Sequence, residues 1–208
     1  MNSTKIDATL DLLGFTQNCF VETILVTRNK DRSFNPAPMG VIRDGKLLEI
    51  RPYKSSITYG NLDESTHVSI NLTDDPMLFL KTSFKDEFKE VPKVIDWILD
   101  GSDATIMAEK TSESDYSPLQ AAFTLEPISL TISNKTPRVF SRGRAEAIEA
   151  IIHATRIKVY QSENQENKVK ELYEKMTASF NIQQSFSMQH WIGKKSGGML
   201  NLFTLRES

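Results

Sequence analysis

The chain has a single cysteine, Cys19, among 208 residues, so no intramolecular disulfide can form and no thiolate cluster can hold zinc. Cys19 is expected to be a small buried hydrophobe. No apolar run approaches the ~18 residues of a membrane span, and residues 1–7 lack the basic-then-apolar layout of a secretory signal. The expectation is a soluble, cytoplasmic chain with no membrane partner. An excess of charge of either sign is missing too: 25 basic and 27 acidic side chains leave a net charge of -2, which argues against nucleic acid as a partner. Any anion site must therefore be local. His67, His153 and His190 are scattered without metal-ligand spacing, and no metal site is expected.

What is present is a globular balance, 39% hydrophobic and 25% charged, in a chain long enough to bury a core without staples. Ile6, Leu10 and Leu13 fall at helical spacing. Residues 22–28 then read as a β-branched strand, residues 34–42 are held extended by Pro36 and Pro38, and Asp44-Gly45 signals a hairpin into a strand over 46–51. Ser55 or Ser56 caps a helix to about residue 65, residues 67–72 alternate as a strand, and Asp74-Asp75-Pro76 starts a short helix. Residues 85–103 are mixed, with Trp97 and Leu99 expected inside, and residues 104–109 form a strand. Residues 111–117 read as a polar loop, and residues 121–133 as a strand or strand pair interrupted at Pro127.

Beyond about residue 137 the apolar period becomes helical. Ile148, Ile151, Ile152, Thr155 and Val159 share one face, as do Val169, Leu172, Tyr173, Met176 and Phe180, which predicts a helical hairpin. The division expected is residues 1–137 and 138–208, the latter ending in a flexible basic loop around Lys194-Lys195.

The densest chemistry lies in Arg51-Pro52-Tyr53-Lys54-Ser55-Ser56-Ile57-Thr58-Tyr59-Gly60-Asn61. Two cations and three aliphatic hydroxyls meet a helix start there, and a phosphate needs charge-assisted donors, neutral donors and free backbone N–H groups. Hydroxyls at a helix start also serve as caps alone, with Arg51 merely solvated. The companion segment Asn35-Pro36-Ala37-Pro38-Met39-Gly40 is stiff and small, a backbone on which a flat ring can lie. Together the two segments point to a phosphorylated planar cofactor.

The order strand, Asn-x-Ala-Pro-Met-Gly, hairpin, Arg-Pro-Tyr-Lys-Ser-Ser-x-Thr-x-x-Asn, helix, Val-x-Ile-Asn-Leu-Thr-Asp-Asp-Pro resembles the FMN-binding split-barrel flavoproteins of the flavin reductase-like superfamily. It is most similar to a prokaryotic branch known only as a domain of unknown function, whose helical C-terminal part resembles residues 142–156 here. The resemblance implies a mostly β fold with α: a six-stranded split β-barrel followed by a C-terminal helical hairpin. It implies a homodimer with FMN near the subunit interface. By the same resemblance Arg51, Lys54, Ser55, Ser56, Thr58 and Asn61 match the phosphate block, and Asn35, Ala37, Pro38 and Met39 the segment beside the ring. Asn71, Thr73 and Asp74 fall where they would reach the ring edge or ribityl chain.

The expected function is an FMN-dependent oxidoreductase moving a hydride or electrons to a small-molecule substrate, with a nicotinamide as one candidate donor. The alternative is a non-catalytic flavin-binding or electron-relay protein. No catalytic side chain is assigned, because hydride transfer is the flavin's own chemistry.

Overall fold

The computed structural model describes the backbone of residues 3–133 and 142–184, and the side chains of residues 7–133 and 144–179. The chain divides into two compact units, Met1–Arg138 and Val139–Ser208. Expectations for residues 134–141 and 185–208 lie outside the described residues. No described helix is long and apolar enough to cross a membrane.

The first unit is built on six antiparallel strands closed into a barrel: β1 (Phe20–Arg28), β2 (Phe34–Asp44), β3 (Leu47–Ile50), β4 (His67–Leu72), β7 (Ala104–Asp115) and β8 (Ala121–Ile132), in the order β1-β2-β3-β8-β7-β4. Period-two alternation points Leu25, Val41, Ile50, Ile70, Phe123 and Leu125 inward, where they are sealed from solvent. The β2–β3 turn has Gly45 at φ 58°, the left-handed conformation that a tight hairpin loop needs.

Helix α1 (Ser3–Leu12) contributes Leu10 to the barrel core. Arg43, 4% exposed, ties this segment down: its guanidinium donates to Asp11 Oδ1 at 2.5 Å, to the Phe15 carbonyl at 2.8 Å and to the Gly45 carbonyl at 2.8 Å. The buried cation is thus compensated on several sides. Helix α2 (Ile57–Glu64) follows β3, and α3 (Pro76–Ser83) follows β4 and lies on β2. Asp75 caps α3 by accepting from the Met77 N–H at 2.9 Å, with Pro76 in the first turn, as the sequence predicts.

Four expectations are corrected. Residues 111–115 belong to β7 rather than a loop: pairing with β8 continues to Asp115↔Ala121, and the polar composition reflects exposure of this stretch. Pro127 does not split β8, because a register shift between Met107 and Ala108 accommodates its missing N–H. Residues 85–103 contain a short turn, Lys85–Glu87, and a two-stranded hairpin, β5 (Val94–Ile95) and β6 (Ile98–Leu99), with Leu99 buried but Trp97 half-buried. Cys19 is exposed, since it sits in the irregular approach to β1 rather than on an inward strand face.

In the second unit α4 (Arg142–Ser162) and α5 (Glu166–Gln184) form the expected helical hairpin. Its shared core is Ala150, Ile157, Leu172 and Met176, flanked by Ala154, Tyr160 and Val169. Small Ala150 and Ala154 supply the close approach on α4, so the packed stripe differs from the one that the isoleucines suggest. Tyr173 is exposed, and Phe180 lies beyond the described side chains.

Candidate functional site

The chain leaves β3 at Ile50 and reaches α2 through a segment held by its own backbone. The Lys54 N–H donates to the Leu119 carbonyl at 2.8 Å, and Gln120 Nε2 donates to the Arg51 carbonyl at 2.9 Å. Ser56 is the helix cap: its backbone is extended at φ -87° and ψ 152°, its Oγ accepts from the Tyr59 N–H at 3.1 Å, and it donates to the Tyr53 carbonyl at 2.7 Å. A first helical turn leaves N–H groups without intrahelical partners, and satisfying that of Tyr59 leaves those of Ile57 and Thr58 for a ligand. Ser55 is exposed beside them. Ser56→Ala is expected to lower the urea-unfolding stability by about 1 kcal/mol, the usual cost of a lost cap; a larger loss of bound ligand than of stability would show that Ser56 also touches it.

Inside this helix start lies a polar cluster that joins the two segments singled out in the sequence. Thr58 is 3% exposed, and its Oγ1 accepts from Asn35 Nδ2 at 3.3 Å. The same Asn35 amide reaches Thr27 Oγ1 at 3.4 Å, and Asn61 Nδ2 donates to Thr27 Oγ1 at 2.9 Å and to Asn29 Oδ1 at 2.8 Å. Asn35, Thr58 and Asn61 are therefore brought together, joined by Thr27 and Asn29.

A residue that the sequence reading missed completes the cluster. Lys85, in the turn after α3, donates from Nζ to Asn35 Oδ1. Burial pushes this amine down to about 8, with the Asp86 charge opposing the shift only in part. Its direct acceptor is a neutral amide. The only sequence signal was a lysine just past an amphipathic helix, indistinguishable from an ordinary solvated one.

The two cations predicted for the site are placed differently. Arg51 Nε donates to Glu49 Oε1 at 2.6 Å, and its guanidinium lies 4.0 Å from the Tyr116 ring centroid and 5.7 Å from that of Phe20. Lys54 pairs with Asp115 at 2.5 Å, an interaction that raises its pKa. Both cations are already paired with carboxylates.

The ring segment occupies a gap in the barrel. β2 pairs with β1 from Phe34 to Ile42, but with β3 only from Val41 onward. Over residues 34–40 its second edge is therefore free of strand pairing, and Pro36 and Pro38, which have no N–H to donate, are tolerated there. Ala37, Pro38 and Met39 are all partly exposed along this stretch, the Met39 carbonyl accepting from Thr23 Oγ1 at 2.9 Å.

Asn71 is drawn into structure elsewhere. It is 0% exposed, its Oδ1 accepts from the Leu99 N–H at 3.0 Å and Thr105 Oγ1 at 2.8 Å, and its Nδ2 donates to Ser69 Oγ at 3.0 Å. It clamps the β5–β6 hairpin to the barrel. Thr73 Oγ1 accepts from the Asp75 N–H at 3.1 Å, within the α3 cap, and Asp74 lies beside it, half-buried. Among the described residues no group of three or more His, Cys, Asp or Glu side chains could hold a metal ion.

An antiparallel six-stranded barrel in which one edge of β2 is left without a strand partner over residues 34–40, with a capped helix beside that gap, is a split β-barrel. The FMN-bound DUF447-family protein of Methanosarcina mazei superposes with a TM-score of 0.60 at 22% identity, over 81% of this chain and 91% of that one. The chain belongs to the family described as protein of unknown function (DUF447), N-terminal domain, which matches residues 21–134. More distant likenesses are the styrene monooxygenase flavin reductase of Pseudomonas putida (12% identity, TM-score 0.46, 57% of this chain and 82% of that one) and the flavoredoxin of Methanosarcina acetivorans (13%, 0.45, 57% and 72%). No curated protein matches the chain.

Proposed function

We propose that this chain binds FMN and works as an oxidoreductase on a small molecule, with a nicotinamide as electron donor. The observation that carries this reading is the convergence of Lys85 and the first turn of α2 on Asn35, next to the unpaired edge of β2. The donor set fits the group. A phosphate dianion needs a cation not already neutralised, hydroxyls and free N–H groups, which Lys85, Ser55, Thr58 and the start of α2 supply. A flat heteroaromatic ring needs a backbone edge and a mostly apolar bed, which residues 35–39 supply. The FMN carried by the Methanosarcina mazei relative supports the same choice of cofactor.

In this reading Arg51 and Lys54 hold the approach to α2 in shape through Glu49 and Asp115, and Lys85 carries the charge that meets the phosphate. Bound FMN supplies the hydride and electron chemistry. The protein orients the ring along β2 and, through the charge on Lys85, makes an anion welcome at a site otherwise built of neutral amides and hydroxyls.

A second copy of this chain is the proposed partner. Phe20, Ile57 and Tyr116 are 62%, 66% and 52% exposed, and Arg51 spans the rings of Phe20 and Tyr116, so an apolar surface borders the site. The test is an absorption spectrum of the purified protein with identification of the heat-released chromophore, alongside sedimentation and steady-state oxidation of a nicotinamide. Stoichiometric FMN on a dimer with turnover is expected. FMN without turnover of any nicotinamide would leave a binding or relay protein, and a colourless protein that cannot be reconstituted would end the flavin reading.

A further inference from the structure

We propose that Arg28, Phe34 and Trp97 form a second ligand site that takes a purine nucleoside diphosphate, the base against the aromatic rings and the phosphate on the guanidinium. The inference rests on the oxidoreductase reading in one respect: such a group is the non-reacting half of a dinucleotide donor.

Arg28 and Phe34 face each other in register at the end of the β1–β2 ladder, one pair beyond Thr27 and Asn35. The Arg28 side chain is exposed, with its guanidinium carbon 5.2 Å from the Phe34 centroid and 5.6 Å from the Trp97 centroid. The two rings meet edge-on at 5.1 Å and 67°. Among the described residues no carboxylate forms an ion pair with Arg28. A guanidinium stacked on aromatic faces keeps its planar fork of N–H donors directed outward, the arrangement that binds phosphate in two places at once.

Trp97 is held there against its own backbone preference. Asp96 and Trp97 are the two loop residues of the β5–β6 hairpin, at φ 48° and 71°, a conformation that suits Asn or Gly and that a bulky side chain rarely adopts. The strain is sustained by a rigid mount: Ser69 Oγ donates to the Trp97 carbonyl at 2.5 Å, and buried Asn71 accepts from the next residue but one, Leu99. A two-residue hairpin loop needs φ above 0° at both positions, and tryptophan in place of glycine there sets its ring against Phe34 and beside the Arg28 guanidinium.

The test is calorimetric titration of ADP into FMN-loaded wild type and into Arg28→Gln, Arg28→Lys and Trp97→Gly, with flavin absorbance recorded throughout. ADP is expected to bind without displacing FMN. Arg28→Gln should weaken it by about tenfold or more, as a lost charge-assisted contact does, with Arg28→Lys between. Adenosine should bind with the same affinity to wild type and to Arg28→Gln. Trp97→Gly should lose ADP affinity while the protein stays folded, since glycine relieves the turn; Trp97 as simple packing would give the opposite, a destabilised protein with intact binding. ADP that does not bind, that displaces FMN, or that binds Arg28→Gln as well as wild type would overturn the inference. Each of those results leaves the FMN stoichiometry measured before ADP is added, and hence the flavin reading, intact; titration of flavin-free protein keeps the ADP question answerable if FMN itself fails to bind.

Discussion

Lys85→Met is expected to stabilise the flavin-free protein at pH 7 by about 1–2 kcal/mol and to weaken FMN by about ten- to a hundredfold. The two effects have one cause. In the unfolded chain Lys85 titrates near its ordinary 10.5, whereas burial lowers it to about 8 in the folded protein. Between those values the unfolded state holds more protons, so stability rises with pH from about 8 to 10.5, and below 8 the folded protein carries the full cost of a half-buried charge. Partial exposure of the amine keeps that cost well below the unscreened figure. Methionine removes the charge while retaining much of the stem's packing.

An anion at Lys85 stabilises the charged amine, so FMN binding is expected to be strongest between the second phosphate ionisation near ~6 and pH 8, and to decline above 8 as binding comes to require proton uptake. Calorimetry at pH 9 in buffers of different ionisation enthalpy reads that proton directly, and it should vanish in Lys85→Met. Urea midpoints of the two proteins should converge as pH rises toward 10. A methionine variant that binds FMN as tightly as wild type would move the phosphate away from Lys85.

Asn71→Ala is expected to cost about 2–4 kcal/mol in urea unfolding. Its amide satisfies the Leu99 N–H and the Thr105 hydroxyl at a position that is 0% exposed, and truncation strands both inside at about 1–3 kcal/mol each. Hydrogen exchange should locate the loss: the Leu99 amide should open before the β1–β2 ladder does. FMN should remain bound at stoichiometry wherever the variant is folded. An unchanged midpoint together with lost flavin would return Asn71 to the ring edge, where the family resemblance put it.

These two residues mark where sequence reasoning succeeds and where it stops. The helix at Ser56, the cap at Asp75 and the hairpin at Gly45 are local events, decided by side chains within a few residues of the backbone that they satisfy. The pairing of residues 35–40 with residues 51–61 was legible for another reason, since both carry unusual composition and the topology brings Asn35 onto Thr58. Lys85 was invisible because its acceptor, Asn35, is brought to it from a strand far away in sequence. The β5–β6 hairpin was missed because Asp96-Trp97 is poor turn chemistry, retained by hydrogen bonds from β4.

The sequence by itself determined the barrel strands, the helix caps and the helical pair after them, because periodicity and capping act over single turns and strands. The tertiary structure alone decided which charges are free to meet a ligand. Glu49 and Asp115 occupy Arg51 and Lys54, while the burial that lowers the Lys85 amine leaves it facing a neutral amide. Net charge at a site depends on partners brought together by the fold and on the solvent that the fold excludes, and neither is written at any one position in the chain.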